Sequence, residues 1–212
     1  MSEVLQEITK QLYAGKYNEV PALTQRALDE GLTPAQVLKG GLIAGMDMVG
    51  RDFKAGELYV PEVLVAAKAM HAGMDVLRPL LVGEDVPTTG RFLIGTVQGD
   101  LHDIGKNLVA MMLEGAGFEV LDLGINIAPG AFVEAIKEKE PQLVGMSALL
   151  TTTKEAMKVT IEAIAQAGLR DRVKIMVGGA PVTARFAEEI GADGYAPDAG
   201  AAVDKARELI NA

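Results

Sequence analysis

An aspartate and a histidine two residues apart, in Gly99-Asp100-Leu101-His102-Asp103-Ile104-Gly105, are the densest concentration of chemistry in this 212-residue chain. The run follows an apolar, β-rich segment at residues 92–97 and precedes a helix-like segment at 106–114. Asp100 and His102 are therefore expected on a loop at the carboxyl end of a strand, where open parallel sheets bind ligands. A carboxylate there can orient an imidazole whose other nitrogen binds a metal, and Gly105 lets a bulky ligand approach the backbone. Taken alone, an Asp-x-His pair is more often a surface turn, and glycines before a helix also suit a phosphate-binding loop.

Two further signals bear on that choice. Ser147-Ala148-Leu149 ends a strand-like run at 142–146, and Gly178-Gly179 follows another at 173–177. If the strands are parallel, all three signals lie along one edge of one sheet. In order and spacing they resemble the cobalamin-binding family signature Asp-x-His-x-x-Gly, then Ser-x-Leu, then Gly-Gly. Each piece has little specificity by itself; the combination has much more.

The elements that must position these residues fall into two groups. Residues 1–82 read as helices only: apolar residues recur at helical spacing over 2–14 and 18–30. Thr33-Pro34 supplies an N-cap and a first-turn proline for a third helix to about Phe53, which Gly40, Gly41, Gly45 and Gly50 weaken. A fourth runs from about Pro61 to Leu81, and four such helices make a bundle. Residues 83–90, with Pro87, form the expected linker. Over 91–212 strands (91–97, 118–122, 142–147, 173–177, 193–196) alternate with helices (104–116, 130–139, 153–167, 182–190, 199–211). That alternation predicts a doubly wound, flavodoxin-like five-stranded parallel sheet.

Composition narrows the function classes. A net charge of −9 without a basic cluster argues against nucleic acid and anionic membranes as partners. No apolar run approaches the length of a membrane span, and the amino terminus lacks a signal-peptide pattern. The absence of cysteine excludes disulfides and thiolate metal sites, and the cytoplasm is the expected compartment.

The helical half carries a second resemblance. Gly45-Met46-Asp47-Met48-Val49-Gly50, Phe53 and Leu58-Tyr59-Val60-Pro61-Glu62-Val63 are similar to the helical cap of methyl-carrying corrinoid proteins. These are the small subunits of three-component methyltransferase systems acting on methylamines, methanol or methoxylated aromatics. They are related through the α/β part to the cobalamin-binding module of methionine synthase. The resemblance spans nearly the whole chain and implies cobalamin or a related corrinoid bound base-off, with His102 as the lower axial ligand of cobalt. Leu101, Asp103, Ile104 and Gly105 complete the ligand loop. The displaced nucleotide tail would pass Ser147, Leu149, Thr151 and the Gly178-Gly179 turn. Asp100 would accept a hydrogen bond from the second imidazole nitrogen. The relay would continue to the hydroxyl of Thr153, where the family often has serine. Tyr59 and Met70 look like corrin-facing positions of the cap, with ordinary core packing as the competing assignment for a methionine. His71, the other histidine, reads as a packed or surface residue of a helix.

The implied protein is a carrier without catalytic residues of its own. A substrate-specific methyltransferase methylates the cobalt, a second methyltransferase removes the methyl group, and a reductive activase serves the cofactor. Two other classes share the signature. Cobalamin-binding subunits of radical carbon-skeleton mutases usually lack the helical cap, and cobalamin-dependent sensors carry a DNA-binding or signalling module, of which none is recognisable here.

Overall fold

A computed structural model describes residues 2–81 and 88–211. The chain separates into two units, Met1–Thr88 with Gly115–Gly117, and Thr89–Glu114 with Phe118–Ala212. Most of the linker expected at 83–90 lies outside the described residues.

The first unit is helical: α1 (Glu3–Tyr13), α2 (Val20–Asp29), α3 (Pro34–Val37), α4 (Ala44–Lys54) and α5 (Val60–Leu81). Val4, Leu5, Ile8 and Leu12 form the buried stripe of α1, which packs on α2 and α4, while α5 packs on the same two helices. Thr33 opens α3 with a capping box: its hydroxyl accepts from the Gln36 amide, and the Gln36 side chain accepts from the Thr33 amide. The third helix predicted from there to Phe53 contains a wide turn, a π-helical segment at Leu38–Ile43 between α3 and α4. Gly41 and Gly45, which weaken it in isolation, serve packing against α1. A Cβ on Gly41 or Gly45 would come within 3.0 Å of Ile8 or 2.9 Å of Leu12. The Thr9 hydroxyl donates to the Gly41 carbonyl at 3.1 Å, giving a buried carbonyl of the wide turn a partner. Among the described residues no helix is long and apolar enough to cross a membrane.

The second unit alternates β1 (Arg91–Thr96), α6 (Ile104–Gly115), β2 (Glu119–Asp122), α7 (Pro129–Lys139), β3 (Leu143–Ser147), α8 (Glu155–Gln166), β4 (Lys174–Gly178), α9 (Ala184–Glu189), β5 (Gly194–Ala196) and α10 (Ala199–Ile210). The five strands form one sheet in the order β2-β1-β3-β4-β5, every pair parallel. This is the flavodoxin-like order, whose ligands bind beyond the carboxyl ends of the strands. Strands read as apolar runs because both faces are covered. On one face Leu93, Val144, Ile175 and Val177 pack with Phe132 and Ile136 of α7 and with Met157, Ile161 and Ile164 of α8. The alternate residues Phe92, Ile94, Leu143 and Met176 are buried too. Burying each such side chain contributes about 1.5–3 kcal/mol against the entropy of ordering the chain. Register then sets the site: Thr96 pairs with Ser147, Ser147 with Gly178, and Gly178 with Ala196. The three sequence signals therefore start from one level of one sheet edge.

Candidate cofactor site

β1 ends at Thr96, and the next seven residues form the loop that leads into α6. Asp100 is completely buried in that loop. A buried carboxylate is costly unless its lone pairs are filled, and here both oxygens are. Oδ2 accepts from the amides of Leu149 (2.7 Å) and Leu150 (3.3 Å) and from the Thr153 hydroxyl (2.6 Å). Oδ1 accepts from the His102 amide (3.1 Å) and lies 2.7 Å from His102 Nδ1. Burial, the largest single influence, pushes the carboxyl up. The hydrogen bonds from Thr153, Leu149 and His102 together outweigh it and hold the group far below the usual carboxylate range.

An ionised carboxylate only accepts. His102 Nδ1 must therefore carry a proton toward Asp100, and in the neutral ring the lone pair falls on Nε2. The ring is half exposed, with 50% of its side-chain surface accessible. Its main chain is fixed as well: the Thr96 hydroxyl donates to the His102 carbonyl at 2.9 Å. On the other flank Asn126 donates its amide to the Asp100 carbonyl at 3.0 Å and accepts the Gly99 amide on Oδ1 at 2.8 Å. Asn126 does so with φ at +55°, a conformation asparagine tolerates better than most residues.

The donor set says what could bind. Among the described residues no three His, Cys, Asp or Glu side chains gather to hold a metal ion. A single imidazole is the right donor set for an axial position on a metal that arrives inside a macrocycle. The surroundings suit such a body. Leu101, Ile104, Leu149 and Leu150 stand at the same sheet edge with 67%, 77%, 44% and 43% exposure. Large apolar side chains left in water together mark a binding surface. A Cβ on Gly105, in the first turn of α6, would meet nothing within 4 Å, so the start of that helix is open on this side. At Gly178 and Gly179 the backbone itself is the wall: an added Cβ would lie 3.0 Å from the Ala196 carbonyl and 1.9 Å from the Ala148 carbonyl. Ser147 is half-buried at this edge, and Thr151 and Asp103 are exposed beside it. The residues present thus fit a metal macrocycle with a polar tail.

Asp100, His102, Leu149 and Thr153 are joined by direct hydrogen bonds, while Ser147, Thr151 and the two glycines share the sheet edge. Tyr59 and Met70 belong to the helical unit. Tyr59 is 69% exposed just before α5, whereas Met70 is 4% exposed within that unit's core. His71 is exposed on α5. Sequence reasoning missed Thr96, Asn126 and Leu150. Leu150 acts through its main chain and leaves no signal in residue type. Asn126 had one, an asparagine two residues after Gly124 in the loop after β2.

This fold and this site define a B12-binding protein. Two family models, each described as a B12 binding domain, match residues 90–204 and 4–78, and the chain belongs to that family. It is similar to dimethylamine corrinoid protein 2 of Methanosarcina acetivorans, 44% identical over 209 residues, 98% of this chain and 96% of that protein. Among solved structures it is similar to the methanol:cobalamin methyltransferase complex MtaBC from Methanosarcina barkeri. The TM-score is 0.89 at 28% identity, over 99% of this chain and 80% of that one. A cobalamin-binding protein from Desulfitobacterium hafniense matches with a TM-score of 0.81 at 29% identity, over 97% and 98% of the two chains. None of these is a mutase subunit or a sensor by name. The helical region, the five-stranded parallel sheet and corrinoid binding go together in this family, as the sequence predicts.

Proposed function

We propose that this chain is a methyl carrier: it holds a corrinoid base-off on His102 and serves between a substrate-specific methyltransferase and a second methyltransferase. The observation that carries the reading is the fully buried Asp100, which collects five hydrogen bonds and gives two of its contacts to His102. When bound, the corrinoid supplies a cobalt centre that can take up and release a methyl group. The chain's own residues do the rest. Asp100 holds the Nδ1 proton and so presents the Nε2 lone pair toward the cofactor side. A carboxylate behind a ligating imidazole also raises its basicity. Thr153 shares its hydroxyl proton with Asp100. Ser147, Leu149 and Thr151 line the path of the displaced nucleotide tail, and the Gly178-Gly179 turn keeps side chains out of it. Leu101 and Ile104 cover apolar ring surface.

In this reading residues 1–82 are the cap, 83–90 the linker and 91–212 the cofactor domain. Tyr59 contributes at the cap surface, and Met70 supports it from the core. A reductive activase keeps the cofactor usable, and the system works in the cytoplasm. The names of the relatives make dimethylamine the first methyl donor to test, with methanol next. The test reconstitutes the protein with hydroxocobalamin, reduces it, and mixes it with candidate methyltransferases and their methylated substrates while corrinoid absorbance is followed. Substrate-dependent methylation, reversed by a second methyltransferase and an acceptor, is the expected result. Binding of cobalamin with no methylation by any donor, together with a dependence on adenosylcobalamin, contradicts it.

A further inference from the structure

Lys106, in the first turn of α6, is 2% exposed, and a buried cation persists where it is paired and hydrogen-bonded. Its Nζ donates to Asp122 Oδ2 at the end of β2 and, at 2.6 Å, to Asn107 Oδ1. From these partners two chains of contacts reach His102. Asn107 Nδ2 donates to Asp103 Oδ2 at 3.2 Å, and Asp103 is the residue after His102. Asp122 Oδ1 accepts the Gly124 amide at 2.8 Å, the Gly124 carbonyl accepts the Thr96 amide at 3.0 Å, and the Thr96 hydroxyl holds the His102 carbonyl at 2.9 Å. β1 lies between β2 and β3. Asp100 ties the loop to the β3 side by collecting donors there, and Lys106 ties it to the β2 side by donating.

We propose that Lys106 is a positioning residue for His102, acting through Asp122 and Asn107 to fix the main chain from which the imidazole is presented. The inference rests on the reading of His102 as the cofactor ligand. Asp100 sets the direction of the ring, and the Lys106 link sets where its backbone stands. Partners of a metal ligand are commonly worth about 10–100-fold in affinity. A link one contact further out is expected at the low end, about tenfold.

The test compares Lys106→Met and Asp122→Asn, each alone and combined with His102→Ala, in the full chain. The first readout is amide hydrogen exchange in the cofactor-free protein. The His102 amide, which donates to Asp100, is expected to exchange about tenfold faster in either variant, while the Gly145 amide inside β3 is unchanged. The second is the dissociation constant for hydroxocobalamin, expected to rise about tenfold in each variant and not at all once His102 is alanine. A lysine that serves only the fold behaves differently. Unaltered His102 exchange in both variants, or an equal loss of binding in the His102→Ala background, overturns the proposal. If Lys106→Met loosens Gly145 as well, Asp122→Asn, a same-sized change at a 40% exposed side chain, decides by the same two readouts. If His102→Ala leaves hydroxocobalamin binding intact, the ligand reading has failed, and His102 exchange alone decides whether the Lys106 link holds.

Discussion

Asp100→Asn replaces one carboxylate oxygen by an amide nitrogen and so tests the hydrogen-bond logic of the site atom by atom. The asparagine has two orientations. With its oxygen on the Oδ2 side it keeps the Leu149, Leu150 and Thr153 donors, and its amide nitrogen faces the His102 amide and Nδ1. The His102 amide then opposes a donor, at a cost of about 1–3 kcal/mol. The ring can adapt by moving its proton to Nε2, which removes the lone pair needed for ligation. The flipped orientation instead orphans two amides, Leu149 and Leu150, at about twice that cost, so the first orientation prevails. The expected results are a loss of about 1–3 kcal/mol in urea unfolding of the α/β unit, followed through its amide signals. A switch of the His102 tautomer in nitrogen-15 spectra and at least about tenfold weaker hydroxocobalamin binding accompany it. Wild-type stability together with an unchanged tautomer would refute the reasoning.

Three further outcomes follow from the same structure. Gly179→Ala puts a side chain at φ +121° with its Cβ 1.9 Å from the Ala148 carbonyl; backbone strain alone is about 1–3 kcal/mol, so a clear drop in urea midpoint is expected, and an unchanged midpoint means the turn is not tight. Thr153→Ala removes one charge-assisted hydrogen bond of 2.6 Å, worth about 1.5–3 kcal/mol, and Thr153→Ser restores most of it; equal stability of the two variants contradicts a role for the hydroxyl. In the helical unit, hydrogen bonds from Arg51 and Tyr13 hold the Asp52 carboxyl below its usual range. The stability from that pairing is present above the ordinary value of about 3.9 and is lost as pH falls through the lower folded value. Tyr13→Phe is therefore expected to raise the Asp52 midpoint in a carboxyl-resolved NMR titration, and an unmoved midpoint shows the hydroxyl to be irrelevant.

The strand–helix alternation was legible because parallel strands are buried on both faces and read as apolar runs between helical patterns. The shared edge followed from the positions of Asp100, Ser147 and Gly178 after their strands, and the flavodoxin-like sheet from the alternation. The wide turn at Leu38–Ile43 was not legible, since it depends on Thr9 and on the close packing of α1 against Gly41 and Gly45, which are contacts distant in sequence. The Asp100 cage was half legible. Thr153 has a hydroxyl to notice, but Leu149 and Leu150 donate through amides that every non-proline residue possesses. Lys106 escaped notice for another reason: lysine in the first turn of a helix reads as a solvated surface residue, whereas here it is buried and paired with Asp122 at the end of β2. Met70 sits on the apolar stripe of α5 and lies in the core, the assignment its residue type favours.

The claim that His102 ligates the cofactor metal is tested most directly by electron paramagnetic resonance of the cobalt(II) protein grown with nitrogen-15 histidine and loaded with unlabelled hydroxocobalamin. One axial nitrogen splits each cobalt line, into three for nitrogen-14 and into two for nitrogen-15. The account predicts doublets in the labelled protein and no axial-nitrogen splitting from histidine in His102→Ala. Triplets that persist in the labelled protein would place the cofactor's own base on cobalt and contradict base-off binding.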